Sequence, residues 1–400
     1  MNIQDIIKLI WYVFQIAIGY NLVLPFLLLV LYALIKKKTE YKLTSKPEAD
    51  YAIIVTAYEQ TTLIPAVVAS LLKLNYSNFL IYIVADKCDV SDLKFEDDRV
   101  IVLRPEQTLS SNTRSHFYAI NRFKRAHERL TIIDSDNLVD PNYLLELNKL
   151  FDLGFSAVQG VRDAKNLDTL YAALDGARDI YYHFYDGKLL YHVGSSATLA
   201  GSGMAFTTQL YKECLGHLDI TGAGFDKILQ KEIVSRGYRI AFANEAIVFD
   251  EKTSKSDQLV NQRARWINTW FKYFSFGFGL IGKGIFQFNW NKFLFGLILL
   301  RPPLFIFLLI GLFCMLLNLI LNPFLALIWF LGFVIFIIGF ILALAINNTD
   351  ARIYKSLWGI PTFIFYQVLS LLKVRNANKH SVATKHFHAD KKTKKKKNGT

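Results

Sequence analysis

Apolar residues fall into two patterns along this chain. Long unbroken runs lie near the start and in the last third, and between them short apolar runs alternate with amphipathic stretches. From Leu9 to Ile35 no charged residue occurs, and the run leads directly into Lys36, Lys37 and Lys38. A run of that length can cross a hydrocarbon core of about 30 Å as a helix. It has no small-residue cleavage site, and a signal peptide would have a shorter apolar core. It therefore predicts a retained transmembrane anchor over 1–38, and by the positive-inside rule the lysines predict a cytoplasmic domain behind it. Leu304–Leu321 and Phe324–Ile346 are also long enough to span. Asn322 and Pro323 form the turn between them, and Pro302 and Pro303 precede the first, where missing N–H groups do no harm. These two runs predict a hairpin that enters and leaves on one side. Ser356–Leu372 is short and carries Pro361 and Gln367. It reads as an interfacial or re-entrant segment, with a third span as the alternative. The region 301–373 is thus a transmembrane hairpin plus this segment, 266–300 an amphipathic interfacial stretch, and 374–400 a basic cytoplasmic tail.

Residues 47–265 alternate strand and helix patterns. Tyr51–Ala57, Phe79–Ala85, Arg99–Leu103 and Leu130–Ile133 read as strands, and Thr62–Leu74 and Asn112–Arg129 as helices. Such alternation predicts an α/β domain with a mainly parallel sheet. Ligands of these sheets bind beyond the carboxyl ends of the strands.

Composition adds three points. The chain is 52% hydrophobic with a mean hydropathy of +0.26, an excess carried by the terminal runs. Cys88, Cys214 and Cys314 are far apart and supply neither a disulfide framework nor metal-ligand spacing. The net charge of +13 owes much to Lys391, Lys392, Lys394, Lys395, Lys396 and Lys397. That run reads as a solvated tail or topology signal, or as a contact for anionic membrane lipids. It lacks the aromatic interleaving of a nucleic-acid surface, so no nucleic-acid partner is expected.

Two of the strands end in acid. Asp86 lies just past the second, and Asp134 and Asp136 just past the fourth. Two carboxylates flanking one residue at the mouth of a parallel sheet suit Mg²⁺ or Mn²⁺, which take one or two carboxylates and leave room for phosphate oxygens. His183 and His192, in a tyrosine-rich stretch, show no metal spacing and read as packing.

Taken in order, several segments resemble the membrane-bound inverting family 2 glycosyltransferases, a group that includes cellulose, chitin, hyaluronan and poly-N-acetylglucosamine synthases. "IIVTAYEQ", containing Tyr58, is similar to the family's opening strand and turn. "SLLKLNYSNFLIYIVADKC" is similar to its second strand, and "IIDSDNLVDPNYL" to its metal-binding segment. "AVQGVRDAKN" and "LAGSGMAF", containing Gly203, resemble the acceptor-side region. "GAGFDKILQKEI" resembles the stretch that carries the catalytic base, and "QRARW" matches Q-x-x-R-W. "HSVATK" loosely resembles a gating loop of some members. The chain departs from the family pattern at Glu59–Gln60 and at Phe225, which precedes a single carboxylate in place of an acidic pair.

The resemblance implies a GT-A-like nucleotide-sugar-binding domain flanked by transmembrane helices in an inner or plasma membrane. It implies Asp226 as the catalytic base and Asp86, Asp134, Tyr58 and Arg265 as donor contacts. Gln262, Trp266 and Gly203 fall on the acceptor side, and Asp134 and Asp136 on the metal. Helical spacing lets Gln262, Arg265 and Trp266 share one face. The expected donor is a nucleotide sugar, a UDP-sugar by the same resemblance, and the acceptor a glycan or a lipid-linked molecule. A partner subunit or an oligomer fits the small number of spans. Processive synthesis of a β-linked polysaccharide is the first reading and transfer of one sugar to a lipid-linked acceptor the second. An inactive scaffold or transporter component is the non-enzymatic alternative.

Overall fold

The computed structural model describes residues 2–35 and 48–378. Lys36–Lys38, the lysine-rich tail and HSVATK lie outside the described residues. Helix α1 (Ile3–Ile35) contains the whole first apolar run. Next come β1 (Tyr51–Tyr58), α2 (Ile64–Leu71), β2 (Phe79–Asp86), β3 (Val100–Leu103), α3 (Asn112–Ile120) and β4 (Arg129–Asp134). The apolar strand residues Ile53, Val55, Ile83 and Ile133 are fully buried. That fits strands covered on both faces, where β-branched side chains pack well.

Helix α3 stops well short of the predicted Arg129, and a tertiary anchor explains why. His127 is buried with one ring nitrogen 2.9 Å from Tyr82 Oη and the other 2.9 Å from Asp50 Oδ1. The Lys124 N–H also donates to Tyr82 Oη (2.8 Å). These contacts hold the basic run as a turn that feeds β4.

The second half of the domain comprises β5 (Leu138–Val139), α4 (Tyr143–Asp152), β6 (Ala157–Ala164) and α5 (Leu170–Tyr182). A π-helical turn, His183–Leu189, carries α5 into α6 (Leu190–His192). Then follow β7 (Met204–Thr207), α7 (Thr208–Leu215), α8 (Phe225–Ser235) and β8 (Ile240–Asp250). All eight strands form one sheet in the order β3-β2-β1-β4-β7-β6-β8-β5. Strands β3, β2, β1 and β4 are parallel, as are β6 and β8, while β7 and β5 pair antiparallel with their neighbours. The sheet is mainly parallel, as the pattern predicts.

After β8, α9 (Ser256–Tyr273) leads to a pair of short apolar helices, α10 (Phe276–Phe286) and α11 (Trp290–Leu300). The tip of this pair exposes Phe286 and Phe288 almost fully. The predicted hairpin follows as α12 (Leu304–Leu321) and α13 (Pro323–Ile346), with the Asn322 side chain capping α13 through the Leu325 N–H. Helices α14 (Ala351–Ser356) and α15 (Ile360–Ser370) belong to a helical run, Ala351–Arg375. Among the described residues four helical segments are long and apolar enough to cross a membrane: Ile3–Ile35, Leu304–Leu321, Pro323–Ile346 and Ala351–Arg375.

The apolar helices are joined to one another and to the sheet domain by specific contacts. Tyr20 of α1 donates to the Leu297 carbonyl (2.9 Å), and Tyr185 donates to the Gly339 carbonyl in α13 (2.8 Å). Asn268 Nδ2 donates to the Val374 carbonyl (2.9 Å), so the last helical run lies along α9. Between helices, Gln15 Oε1 accepts from Asn318 Nδ2 (2.6 Å) and Trp329 Nε1 (2.8 Å). Interhelical hydrogen bonds of this kind hold apolar helices together where no hydrophobic driving force acts.

Candidate active site

One cavity of ≈ 620 Å³ is lined by the ends of β1, β4, β6 and β8, by the first turn of α8, by α9 and by the start of α12. The parallel register sets Thr56 of β1 beside Asp134 of β4, so both reach the sheet's mouth together. Lys165 Nζ donates to the Asp136 carbonyl (2.7 Å) and the Asp134 N–H to Ser202 Oγ (3.1 Å), which fixes the loop that carries both acids. With its amide nitrogen turned to the carboxylates, Asn137 meets Asp136 Oδ1 at 3.2 Å and Asp250 Oδ1 at 3.3 Å.

Burial, and then repulsion from Asp136, pushes the Asp134 carboxyl up to about 7, while Arg162 offsets part of the rise. An acid destabilised by burial and by a second acid is one that a cation would stabilise. Among the described residues no group of three or more His, Cys, Asp or Glu side chains is placed to hold a metal. The ligands on offer are therefore the two aspartates, a set that fits Mg²⁺ or Mn²⁺ completed by phosphate oxygens and water.

Asp226 lies in the first turn of α8, lines the cavity and sits 3.3 Å from Lys227 Nζ. Gly224 sets its position. Its φ of +98° favours glycine, and a Cβ there would meet Tyr273 at 2.6 Å and Thr269 at 2.7 Å. The helix can therefore start only where α9 leaves this gap.

Gln262, Arg265 and Trp266 of α9 all line the cavity. Gln262 Oε1 accepts from Thr253 Oγ1 (3.3 Å). Burial lowers the Arg265 pKa from its ordinary value. The Trp266 ring is already engaged by guanidinium groups, with Arg263 4.1 Å and Arg178 4.2 Å from its centre. Tyr58, at the end of β1, lines the cavity as well.

Two predicted residues stand elsewhere. Asp86 is buried outside the cavity lining, and its two oxygens accept the N–H groups of Leu109 (2.9 Å) and Ser110 (2.8 Å). Gly203 also lies outside the lining. Its φ is +66°, a Cβ would meet Val248 at 2.9 Å, and its backbone bridges β4 and β6 by bonds with Ile132 (2.9 Å) and Gly160 (2.8 Å).

The structure also brings in groups that the sequence reading passed over. Arg162 of β6 donates to Asp250 Oδ2 at 2.5 Å and to the Ala200 carbonyl at 2.7 Å. Burial works to raise the Asp250 pKa, but Arg162 and Lys252 outweigh it and hold the acid at about 2. Lys252 is shared between Asp250 and Asp179. His183, read as packing, lines the cavity, and burial lowers its pKa to about 4. Asp250 carries the same signal as Asp86 and Asp134, an acid at a strand's carboxyl end. It becomes visible once β8 is delineated.

Comparisons with known proteins bear on the fold and the family. No protein of curated function matches the chain. Among solved structures, the mannosyltransferase PcManGT from Pyrobaculum calidifontis, in complex with GDP-Man and Mn²⁺, is similar at 13% identity and a TM-score of 0.53, over 90% of this chain and 99% of that one. TarS of S. aureus (residues 1–349, with UDP-GlcNAc) aligns at 16% identity and a TM-score of 0.38, over 52% of this chain and 59% of that one. Residues 47–269, more than half of the sequence and the whole strand-and-helix domain with most of α9, match the family described as "Glycosyltransferase like family 2", and the chain belongs to that family.

Proposed function

We propose that this glycosyltransferase moves one sugar from a nucleoside-diphosphate sugar to a lipid-linked acceptor that reaches the cavity from the membrane. The carrying observation is the make-up of the cavity. Asp134, Asp136 and Asp226 share it with Phe276, Ile298, Leu304 and Phe305 of the apolar helices. Among the described residues its lining takes nothing from α1 or α13, meets α12 only in its first turn and meets the run Ala351–Arg375 only at Gln367. Little of the lining comes from the long apolar helices, which supports a single transfer over processive synthesis. Gln262, Arg265 and Trp266 remain the feature that favours the processive reading. The fold's likeness to a mannosyltransferase that binds GDP-Man and Mn²⁺ supports a nucleotide-sugar donor and a divalent cation.

In this reading Asp134 and Asp136 would hold the divalent cation, which would supply positive charge to the leaving diphosphate. Asp226 accepts the proton of the attacking hydroxyl. That oxygen bonds to the anomeric carbon from the face opposite the diphosphate, the bond from carbon to diphosphate breaks, and the configuration inverts. Tyr58 and Arg265 contact the donor, Gln262 and Trp266 border the acceptor, and Asp86 acts on the donor through the Leu109–Ser110 loop that it holds. Gly203 keeps the sheet beneath the acceptor side in register. Purified protein incubated with a panel of UDP- and GDP-sugars and Mn²⁺ should release one nucleotide per acceptor and extend it by one residue. A ladder of longer products would overturn single transfer in favour of processivity.

We further propose that residues 47–265 face the cytoplasm, with 266–300 at the interface, 301–373 forming the hairpin and a membrane-apposed helix, and 374–400 a cytoplasmic tail. Cys88, Cys214 and Cys314 are all buried, so labelling of introduced cysteines has a low background. In intact cells Leu321→Cys, exposed at the hairpin turn, should react with an impermeant maleimide, and Lys94→Cys should react only after lysis. Reaction of Lys94→Cys in intact cells would reverse the assignment.

A further inference from the structure

The helical run Ala351–Arg375 follows the last hairpin helix, and the family match ends long before it. Its two faces differ. Phe365 and Leu372 are exposed, while Phe363, Gln367 and Ser370 are buried. The buried face is fastened to the catalytic domain around Gln367. Tyr366 meets Tyr171 of α5 edge-on, with ring centres 5.5 Å apart, and the Arg263 guanidinium of α9 lies 5.8 Å from the centre of the Phe363 ring. Farther along, Lys373 Nζ donates to Asn261 Oδ1 (3.0 Å), and Asn378 Nδ2 donates to the Arg265 carbonyl (3.1 Å) and to Asn268 Oδ1 (2.8 Å). Positions 363 and 367 are neighbours on one helix face. The path from Phe363 through Arg263 to the Trp266 ring, 4.1 Å from that guanidinium, therefore sets Gln367 on the side of the cavity that Trp266 borders.

Gln367 is 8% exposed, and its amide makes no hydrogen bond with a described residue. Neither end of that amide is sealed in protein, so it opens into the cavity that it lines. An amide on an otherwise packed inward face is costly unless it finds a partner. Solvent can serve while the cavity is empty, but a ligand that displaces it must replace its bonds. The charged groups nearby are already committed. Arg301 pairs with Asp186, Arg263 with Asp175, and Arg178 with Asp179. A guanidinium only donates and a carboxylate only accepts, whereas an amide does both, as a sugar hydroxyl does.

We propose that Gln367 is a specificity-determining residue that hydrogen-bonds a hydroxyl of the acceptor sugar, so that the run Ala351–Arg375 forms one wall of the acceptor site. The proposal rests on the reading above in which Trp266 borders the acceptor. It adds a recognition group from outside the family-matched domain. The amide selects among sugars by the placement of a hydroxyl and takes no part in the bond changes.

Transfer to octyl glycosides by the full-length protein in detergent tests this, with whichever UDP- or GDP-sugar the wild type turns over in Mn²⁺. Octyl β-galactoside and octyl β-mannoside each differ from octyl β-glucoside in the orientation of one hydroxyl. The wild type should discriminate among the three by about tenfold or more in kcat/KM, the effect of leaving a buried hydrogen-bonding group unpaired. Gln367→Met keeps the length of the side chain and removes both hydrogen-bonding ends. It should raise the KM of the preferred glycoside and bring the three values within about threefold of one another. Its affinity for UDP or GDP with Mn²⁺ should match the wild type, which also reports that it is folded. Gln367→Glu fills the same space but only accepts, and should change the order of preference. It carries the comparison if Gln367→Met loses nucleotide binding. Phe365→Leu, on the exposed face of the same helix, should keep the wild-type order and spread. The proposal is overturned if the wild type does not discriminate, if it uses none of the three while still releasing nucleotide, or if the Gln367 variants discriminate like the wild type. Equal loss of discrimination in Phe365→Leu would also overturn it, since the effect would then belong to the placement of the helix. A ladder of longer products would sink single transfer and leave the first-step discrimination readable. Failure of the wild type to bind either UDP or GDP would instead sink the transferase reading itself.

Discussion

Asp226→Asn is expected to lower turnover by about 10²- to 10⁴-fold, the usual contribution of a general base, while leaving donor affinity nearly unchanged. Asparagine has almost the same shape and fits the first turn of α8, but its amide does not accept the proton of the attacking hydroxyl. Lys227 Nζ lies 3.3 Å from the carboxylate. Single-turnover rates at saturating donor, together with donor titration, separate the two quantities. Asp86→Asn should behave in the opposite way. Both Asp86 oxygens accept N–H groups, from Leu109 and Ser110, and an amide would turn a donor toward one of them. The loop would shift, raising donor KM more than it lowers the rate of the chemical step. Normal turnover in Asp226→Asn, with unaltered donor binding in Asp86→Asn, would remove both assignments.

Asp136→Ala is expected to reduce transfer by about 10²-fold or more, since a bound metal contributes several kcal/mol to neutralising a leaving phosphate. Donor binding should weaken too, and its dependence on Mn²⁺ should flatten. Because Asp136 is second only to burial in raising the Asp134 pKa, the variant also relieves Asp134 of that repulsion. The remaining acid becomes easier to ionise but has lost the partner with which it would share a cation. Adding EDTA to the wild type should reproduce the defect. Full activity in EDTA would rule out the metal role of both aspartates.

Much of this architecture is readable from hydrophobic patterning. The three uncharged runs became α1, α12 and α13, and the strands ending at Asp86 and Asp134 lie within a residue or two of their predicted limits. The misjudged helix after Asn112 shows what patterning cannot weigh. Its basic residues suit an exposed helix face, but His127 is captured by Tyr82 and Asp50, which are distant in sequence. The far half of the sheet was harder for a similar reason. Strand β7 inserts antiparallel between β4 and β6, and no local signal announces a pairing with partners so far away along the chain. Within the site, the residues quoted from motifs, Asp134, Asp136, Asp226, Gln262, Arg265 and Trp266, do meet in one cavity. Arg178, Asp179 and Arg301 were invisible because their importance lies in one another, across α5 and the entry to α12, and not in any spacing.

The ion pair between Asp186 and Arg301 bears on where this protein can be divided. The family match ends at residue 269, which suggests a domain that could be excised and studied in water. Arg301 lies beyond that point, yet its partner Asp186 is buried in the π-helical turn within it. A fragment ending at 269 would leave Asp186 without Arg301, and where the acid stays buried, losing one partner of such a pair costs about 3–5 kcal/mol. Whole domains are stabilised by about 5–15 kcal/mol, so a large part of the margin would go with one missing side chain. The catalytic half and the root of the first hairpin helix are in that sense a single folding unit, and the limit of sequence similarity is not a place to cut.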